Sequence, residues 1–248
     1  MIKEILLVTD EKGRKHLARL TDEMVSIPSL GTIRADSIRD AIRSGELTIG
    51  GRKLLIRPAT VDDVLSVIER KAQMLTAKDI AMMIHLCDVR CGSRVVEGGA
   101  GSGALSIALL ASVGGEGHVT TYEIREDFAE IAKRNVEMTS LTEAWTLKMG
   151  NICKKIEEKD LDAILVDIPN PWDCIGPAKL ALRMGGRFCA FVPNVNQVEK
   201  AVYALRDSGF SDVRAVETMQ RDLVVHDGGV RPSFDMLGHT GYLVLARR

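Results

Sequence analysis

One stretch constrains this chain more than any other: Val95-Val96-Glu97-Gly98-Gly99-Ala100-Gly101-Ser102-Gly103-Ala104-Leu105. It carries an apolar, β-favouring run through four glycines into an apolar, helix-favouring one. Glycine lets the backbone turn tightly and lets a ligand approach it closely, and the helix that follows offers free N–H groups at its start. Such a unit belongs to open α/β sheets, and the flanking sequence repeats the alternation. Candidate strands fall at 94–97, 118–122, 144–148, 163–166, 187–191, 213–218 and 242–246, with helical patterns in most gaps. A mostly parallel sheet covered on both faces is the expected architecture from Thr76 onward.

The preceding residues have another texture. Residues 5–8, 16–20, 24–27, 47–49 and 54–56 are short β-favouring runs, and Asp10-Glu11-Lys12-Gly13 and Gly50-Gly51 read as hairpin turns between them. The expected organisation is a small β-rich domain over 1–58, a linker helix within 59–75 marked by Val61, Val64, Leu65 and Ile68, and an α/β domain over 76–248. Thr76-x-x-Asp79 reads as a capping box opening a helix that runs to about Cys87.

Composition removes several function classes. A hydrophobic share of 46% and a net charge of −1 exclude a disordered chain. The longest apolar runs, 80–84 and 104–113, are far short of the roughly 18 residues a membrane span needs. The start Met1-Ile2-Lys3-Glu4-Ile5 lacks the pattern of a secretory signal, so a cytoplasmic location without membrane association is expected. Cys87 and Cys91 are the nearest pair among five cysteines, and no second pair sits at metal-ligand spacing. All five are read as small apolar residues, and no metal site is expected. The charge balance does not advertise a nucleic-acid partner, so that reading has to rest on motifs.

Glu123 ends the second strand of the alternating region, where a carboxylate can accept hydrogen bonds from both hydroxyls of a ribose; capping the next helix is the plainer alternative. Gly99-x-Gly101-x-x-Ala104 also fits the dinucleotide fingerprint, so the loop alone leaves NAD and other adenosine cofactors open. Glu97, an acid just ahead of the glycines, favours S-adenosylmethionine (SAM), and Glu97-x-Gly99-x-Gly101-x-Gly103 resembles motif I of the class I methyltransferases. After the fourth strand comes Val166-Asp167-Ile168-Pro169-Asn170-Pro171-Trp172. An apolar strand delivers Asp167 to the C-terminal sheet edge and two prolines stiffen the turn, which suits a catalytic carboxylate.

This stretch resembles the Asp-Leu-Pro-(Asp/Glu)-Pro-Trp motif of the tRNA (adenine-N1)-methyltransferases that act on T-loop adenine 58. Lys71 to Asp79, with Gln73 and the Lys78-Asp79 pair, is similar to that family's segment before its SAM domain. Arg231-Pro232 followed by Met236-Leu237-Gly238-His239-Thr240-Gly241-Tyr242-Leu243 is similar to its C-terminal segment. The resemblance spans most of the chain. It implies a Rossmann-like class I methyltransferase with a seven-stranded sheet and a small N-terminal β-rich domain, SAM as cofactor, tRNA as partner, and a homotetramer. It implies cofactor contacts from Gln73, Glu97, Gly99, Gly101, Gly103, Ala104, Glu123, Asn151 and Asp167, and substrate contacts from Asn170, Trp172, Arg231 and His239. Three positions depart from the family pattern. Asn170 and Asn151 stand where carboxylates are common, and Thr76-Ala77 stands where Tyr-Pro commonly precedes Lys-Asp.

Adenine N1 methylation spreads positive charge towards N6, so a carboxylate accepting from that amine binds the transition state better than the ground state. Asp167 takes that role. His239 can titrate or touch phosphate, and equally can be a hydrogen-bonded structural residue. Trp172 and Tyr242 can stack on a base or form a wall. The rivals are a class I methyltransferase acting on a small molecule or protein, and a non-catalytic tRNA-binding partner subunit. Residues 31–57 hold Arg34, Arg39, Arg43, Arg52, Lys53 and Arg57 against Asp36, Asp40 and Glu46, a weak basic excess where phosphates can lie.

Overall fold

The computed structural model describes residues 5–20, 23–27, 29–71 and 74–248; Gln73 lies outside the described residues. The first six strands are β1 (Ile5–Thr9), β2 (Lys15–Arg19), β3 (Met24–Ile27), β4 (Gly31–Arg34), β5 (Glu46–Ile49) and β6 (Arg52–Pro58). Four form an antiparallel sheet in the order β2-β1-β6-β5, and β3 pairs with β4 as a separate hairpin. Helix α1 (Ala35–Ser44) interrupts the β run. Its Ala35, Ile38 and Ala41 recur every third residue on one buried face, and Asp36 and Arg43 suit the two ends of its dipole. Gly45, at φ 78°, closes it in the left-handed conformation.

Strand β1 is buried on both faces. The two-residue period sends Leu6 and Val8 into a cluster with α1, while Ile5 and Leu7 enter the larger core that continues into the rest of the chain. Helix α2 (Val61–Val67) occupies only part of the 59–75 span. The capping box is here: Asp63 N–H donates to Thr60 Oγ1 at 3.2 Å and Thr60 N–H to Asp63 Oδ2 at 2.9 Å. At α3 (Ala77–Leu86), by contrast, Thr76 is the N-cap residue but its hydroxyl donates to the Asp79 carboxylate at 2.7 Å, so the expected reciprocal box is not formed.

Then follow β7 (Arg94–Gly98), α4 (Ala104–Val113), β8 (His118–Glu123), α5 (Glu126–Glu137), β9 (Trp145–Met149) and β10 (Leu161–Val166). After these come α6 (Ile175–Ala181), β11 (Leu182–Val192), α7 (Val195–Asp207), β12 (Ser211–Glu217), the hairpin β13 (Leu223–His226) and β14 (Gly229–Pro232), and β15 (Tyr242–Arg247). The seven-stranded sheet runs β12-β15-β11-β10-β7-β8-β9. All neighbours are parallel except β15, which is antiparallel to both β11 and β12. Helix α4 is buried almost all round, as its uniformly apolar sequence requires. The chain leaves β7 towards β8 and β9, then returns to β10 on the other side of β7. Their carboxyl ends therefore splay apart at a topological switch point, where open α/β sheets place their ligands. Among the described residues no helix is long and apolar enough to cross a membrane, and no group of three His, Cys, Asp or Glu side chains is placed to hold a metal.

Candidate active site

Sheet register brings the two sequence motifs together. Val166 pairs with Gly98, so Asp167, one residue on, donates its N–H to the Gly98 carbonyl at 2.9 Å. Gly99 N–H donates to the Tyr122 carbonyl at 2.9 Å, and Gly150 N–H to the Glu123 carbonyl at 2.9 Å. Four strand ends are thereby stitched into one rim. The approach is closest at Gly99, where φ is 90° and a Cβ would stand 2.4 Å from the Asp167 carbonyl oxygen. At Gly103, φ 79°, a Cβ would press on the Ala132 backbone of α5 at 3.2 Å. Gly101, at φ 53°, faces open space and leaves its backbone bare.

Two cavities flank this rim. One, of about 360 Å³, is walled by Tyr122 to Arg125, by Gly150 to Cys153, and by Asp167 to Asn170 with Asp173. The other, about 170 Å³, runs along the glycine loop past Glu97, Ala100, Gly101 and Ala104. Gly99, Arg125 and Asp167 line both.

Three carboxylates face this cleft in three different states. Glu123 is buried and saturated: Oε1 accepts from Ile124 N–H at 2.8 Å and Arg125 N–H at 2.9 Å, and Oε2 from Ala100 N–H at 3.0 Å and Gly101 N–H at 3.4 Å. The last of these is the weakest, and is the bond most easily exchanged for a hydroxyl donor. Glu97 has no exposed surface. Its Oε2 accepts from Ser106 Oγ at 2.5 Å and Thr121 Oγ1 at 2.7 Å, while Oε1 has no hydrogen-bond partner. Burial pushes the Glu97 carboxyl up to about 7; the two hydroxyl donors oppose this, and the nearby Asp167 and Glu123 charges add to it. Asp167 can be reached from the cavity, yet protein crowds it from most directions. That desolvation pushes its carboxyl up to about 6 against the pull of the Arg125 cation.

Residues 64–231 match the family profile described as the tRNA methyltransferase complex GCD14 subunit. Over 97% of its length the chain is 34% identical to the Methanocaldococcus jannaschii tRNA (adenine(57)-N(1)/adenine(58)-N(1))-methyltransferase TrmI, covering 94% of that protein. The chain belongs to this tRNA methyltransferase family. It is also 31% identical to the Thermus thermophilus tRNA (adenine(58)-N(1))-methyltransferase TrmI, over 98% of this chain and 96% of that one. The crystal structure of the tRNA (m1A58) methyltransferase TrmI from Aquifex aeolicus superposes with a TM-score of 0.75 at 25% identity, over 99% of this chain and 96% of that one. A SAM-dependent O-methyltransferase from Thermotoga maritima superposes with a TM-score of 0.82 at 29% identity, over 100% of this chain and 94% of that one.

In this family member, Glu97, Gly99, Gly101, Ala104, Glu123, Asn151, Asp167 and Asn170 all line one cavity or the other. Gly103 shapes the helix start behind them. Asn151 Oδ1 accepts from Cys153 N–H at 2.8 Å, which leaves its amide group as the donor for a ligand. Trp172, Arg231 and His239 line neither cavity. Trp172 is half-buried, packs on the second core cluster and has Lys200 Nζ 5.2 Å from its ring centroid. Arg231 lies on exposed β14 with its guanidinium 4.4 Å from the Phe234 ring centroid. His239 is clamped between Glu217 Oε1 at 2.7 Å and the Pro193 carbonyl at 3.0 Å. Two acceptors require a proton on each ring nitrogen, and the Glu217 carboxylate accordingly holds the imidazole above its ordinary pKa.

Arg125 escapes the sequence reasoning. It stacks on Phe128 at 3.6 Å, lies 3.7 Å from Glu123 Oε1 and is the cation beside Asp167. Its only signal is a basic residue two places after the strand-ending acid. The structure also joins the segment before β7 to the one before β15. Lys78 Nζ, nearly enclosed, donates to Asp79 Oδ1 and Thr240 Oγ1, both at 2.7 Å, tying α3 to Gly238-His239-Thr240-Gly241.

Proposed function

We propose that this chain transfers a methyl group from SAM to N1 of adenine 58 in the T-loop of tRNA. The observation that carries the reading is the β7/β10 register, which sets Asp167 against the glycine loop in a cleft shared with Glu123. The residues present fit the cofactor. Gly99 and Gly101 leave a backbone cradle that a Cβ would close or strain, Glu123 offers the ribose an acceptor, and the unpartnered buried Glu97 Oε1 suits an ammonium group. Bound SAM supplies an electrophilic methyl group on a sulfonium. Asn151 presents its amide to the adenine of the cofactor, and Asn170 borders the side of the cavity where the target base would enter.

The ionised Asp167 accepts a hydrogen bond from the target N6 amine, and this bond strengthens as N1 gains the methyl and charge spreads over the ring. With a midpoint near 6, the carboxylate is mostly ionised at neutral pH yet remains desolvated enough for its charge to act at short range. The base leaves its stack before it can reach this cleft.

Domain use follows the same reading: 1–58 and the C-terminal segment approach the tRNA, 59–75 connects, and 76–248 carries the chemistry. Arg57 is engaged by Asp63 at 2.7 and 2.8 Å and Arg39 by Asp36 at 2.9 Å, so Arg43, Arg52 and Lys53 are the residues of 31–57 proposed to serve the phosphates. We place the enzyme in the cytoplasm, with its substrate, as a homotetramer. The projecting β13–β14 hairpin supports assembly, with Leu223, Val225 and Val230 exposed at 63%, 74% and 62%.

Labelled methyl transfer from SAM to an unmodified tRNA transcript, followed by nucleoside analysis and position mapping, tests the function. 1-Methyladenosine at position 58 is the expected product, and mapping also reads adenine 57. Labelling of a small molecule or protein with none in tRNA would overturn the proposal.

A further inference from the structure

The acid ahead of the glycine loop is wired to a tryptophan two strands away. Glu97 pairs with Thr121 across β7 and β8, and Val119, two residues before Thr121, pairs with Trp145 of β9. Side chains alternate along a strand, so Glu97, Thr121 and Trp145 share one face of three adjacent strands, the face that α4 covers with Ser106. Trp145 Nε1 donates to Thr121 Oγ1 at 2.8 Å, and Thr121 Oγ1 donates to Glu97 Oε2 at 2.7 Å. Ser106 Oγ donates to the same Oε2 at 2.5 Å. Glu97, Ser106 and Thr121 have no exposed surface, and Trp145 is half-buried.

Donor chemistry fixes the direction of this chain of bonds. An indole N–H can only donate, so it occupies a lone pair of Thr121 Oγ1 and leaves that hydroxyl's single proton for Glu97. Two donors on Oε2 turn the carboxylate so that Oε1 is the oxygen without a partner, in a side chain that lines the 170 Å³ cavity. An acceptor left buried and unpaired costs free energy, and a cationic donor from a ligand offsets that cost.

We infer that Thr121 is a positioning residue for the cofactor: held by the Trp145 indole, its hydroxyl fixes Glu97 through Oε2 and so presents Oε1 to the ammonium group of the methionine moiety. The inference rests on the reading of the smaller cavity as the place of that group. The same hydroxyl favours the ionised form of Glu97, against burial and the charges of Asp167 and Glu123. Arg125 lines the same cavity, while α4 and β9 bring the neutral Ser106 and the neutral indole. Thr121 touches neither reacting atom nor ligand, and its effect passes through the carboxylate it holds.

Calorimetry on the full chain compares S-adenosylhomocysteine with methylthioadenosine, which keeps the adenosine and the sulfur but lacks the amino-acid end. Thr121→Val should weaken S-adenosylhomocysteine about tenfold and leave methylthioadenosine within about twofold. Thr121→Ser keeps the hydroxyl and should restore most of the loss. In a Glu97→Ala background Thr121→Val should change neither affinity beyond about twofold, because no carboxylate remains to be held. In the parent protein, affinity for S-adenosylhomocysteine should rise with pH and level off near the Glu97 midpoint of about 7. Thr121→Val removes a donor to the ionised form, so the levelling should move to higher pH. The nuclear magnetic resonance signal of the Trp145 indole N–H, identified by its loss in Trp145→Phe, needs no change at Thr121. It should shift when S-adenosylhomocysteine binds and stay when methylthioadenosine does. Equal weakening of both ligands by Thr121→Val, no weakening of either, no rescue by Ser, an unmoved pH profile or a still indole signal overturns the inference and leaves the cavity's assignment standing. A Glu97→Ala variant that binds S-adenosylhomocysteine as the parent does overturns the placing of the ammonium group, and the inference with it. No binding to the parent overturns the reading of the cavity itself.

Discussion

Glu97→Gln isolates the cost of the buried acid under the glycine loop. Moving a carboxyl midpoint from 4.5 to about 7 makes the ionised native form cost about 3 kcal/mol, at about 1.4 kcal/mol per pH unit. Between those two midpoints the folded protein holds a proton that the unfolded chain has released, so this group makes stability fall as pH rises. Below the lower midpoint both states are protonated, and above the upper one both are ionised. Gln cannot ionise, and its carbonyl can still accept from Ser106 and Thr121, so the variant escapes the fall. Any fixed cost of the substitution cancels when the stability gap between the two proteins is compared across pH. That gap should move in the variant's favour by about 3 kcal/mol from about pH 4 to about pH 8, or about 10 °C in Tm. Urea unfolding followed by circular dichroism, without cofactor, measures it. A gap constant within about 0.5 kcal/mol over that range would refute the argument that Glu97 is desolvated and protonates near neutrality.

Asp167→Ala should lower kcat by about 10²- to 10³-fold while S-adenosylhomocysteine binding, read by calorimetry, stays within about threefold; unchanged turnover assigns the chemistry elsewhere. In the unmodified enzyme kcat/KM should rise with pH through a midpoint of about 6 and then level off, because the ionised Asp167 is the working form. Glu123→Ala removes the acceptor of four backbone amides and should weaken cofactor binding by at least about tenfold, with a loss of about 1–3 kcal/mol in unfolding free energy. Gly99→Ala, at φ 90° and with a Cβ 2.4 Å from the Asp167 carbonyl, should abolish cofactor binding, and binding within a few-fold of the parent would show that the rim yields.

Every expected strand of the α/β region has a counterpart within a few residues, most plainly β7, β8 and β10, parallel strands buried on both faces whose cores read as largely apolar runs. The meeting of Gly98 with Asp167 was implicit in that pattern, since consecutive ends of one parallel sheet share an edge. Helix α1 was not legible, because its Ala35, Ile38 and Ala41 face is narrow and sits among charged residues in a β-favouring region. The β13–β14 hairpin escaped for a related reason: its alternation has no buried side to sharpen it. The place of Arg125 beside Asp167 depends on proximity between distant residues, and spacing along the chain does not encode that. The Thr76 reading found the helix start but not its wiring, because the Asp79 carboxylate is claimed by the Lys78 ammonium.

Strand order sets an order of assembly. Within the seven-stranded sheet β12 has β15 as its sole neighbour, and β15 also covers the outer edge of β11. During synthesis β12 emerges well before Tyr242–Arg247, so β11 offers a naked hydrogen-bonding edge and β12 waits unpaired until that later segment arrives and slides between them. The carboxylate-bearing rim at the ends of β7, β8 and β10 can form earlier from strands already made. A nascent chain halted before Tyr242 would thus expose a half-built sheet that is open to aggregation, and the family's Gly-His-Thr-Gly-Tyr-Leu segment acts as the bolt that closes it.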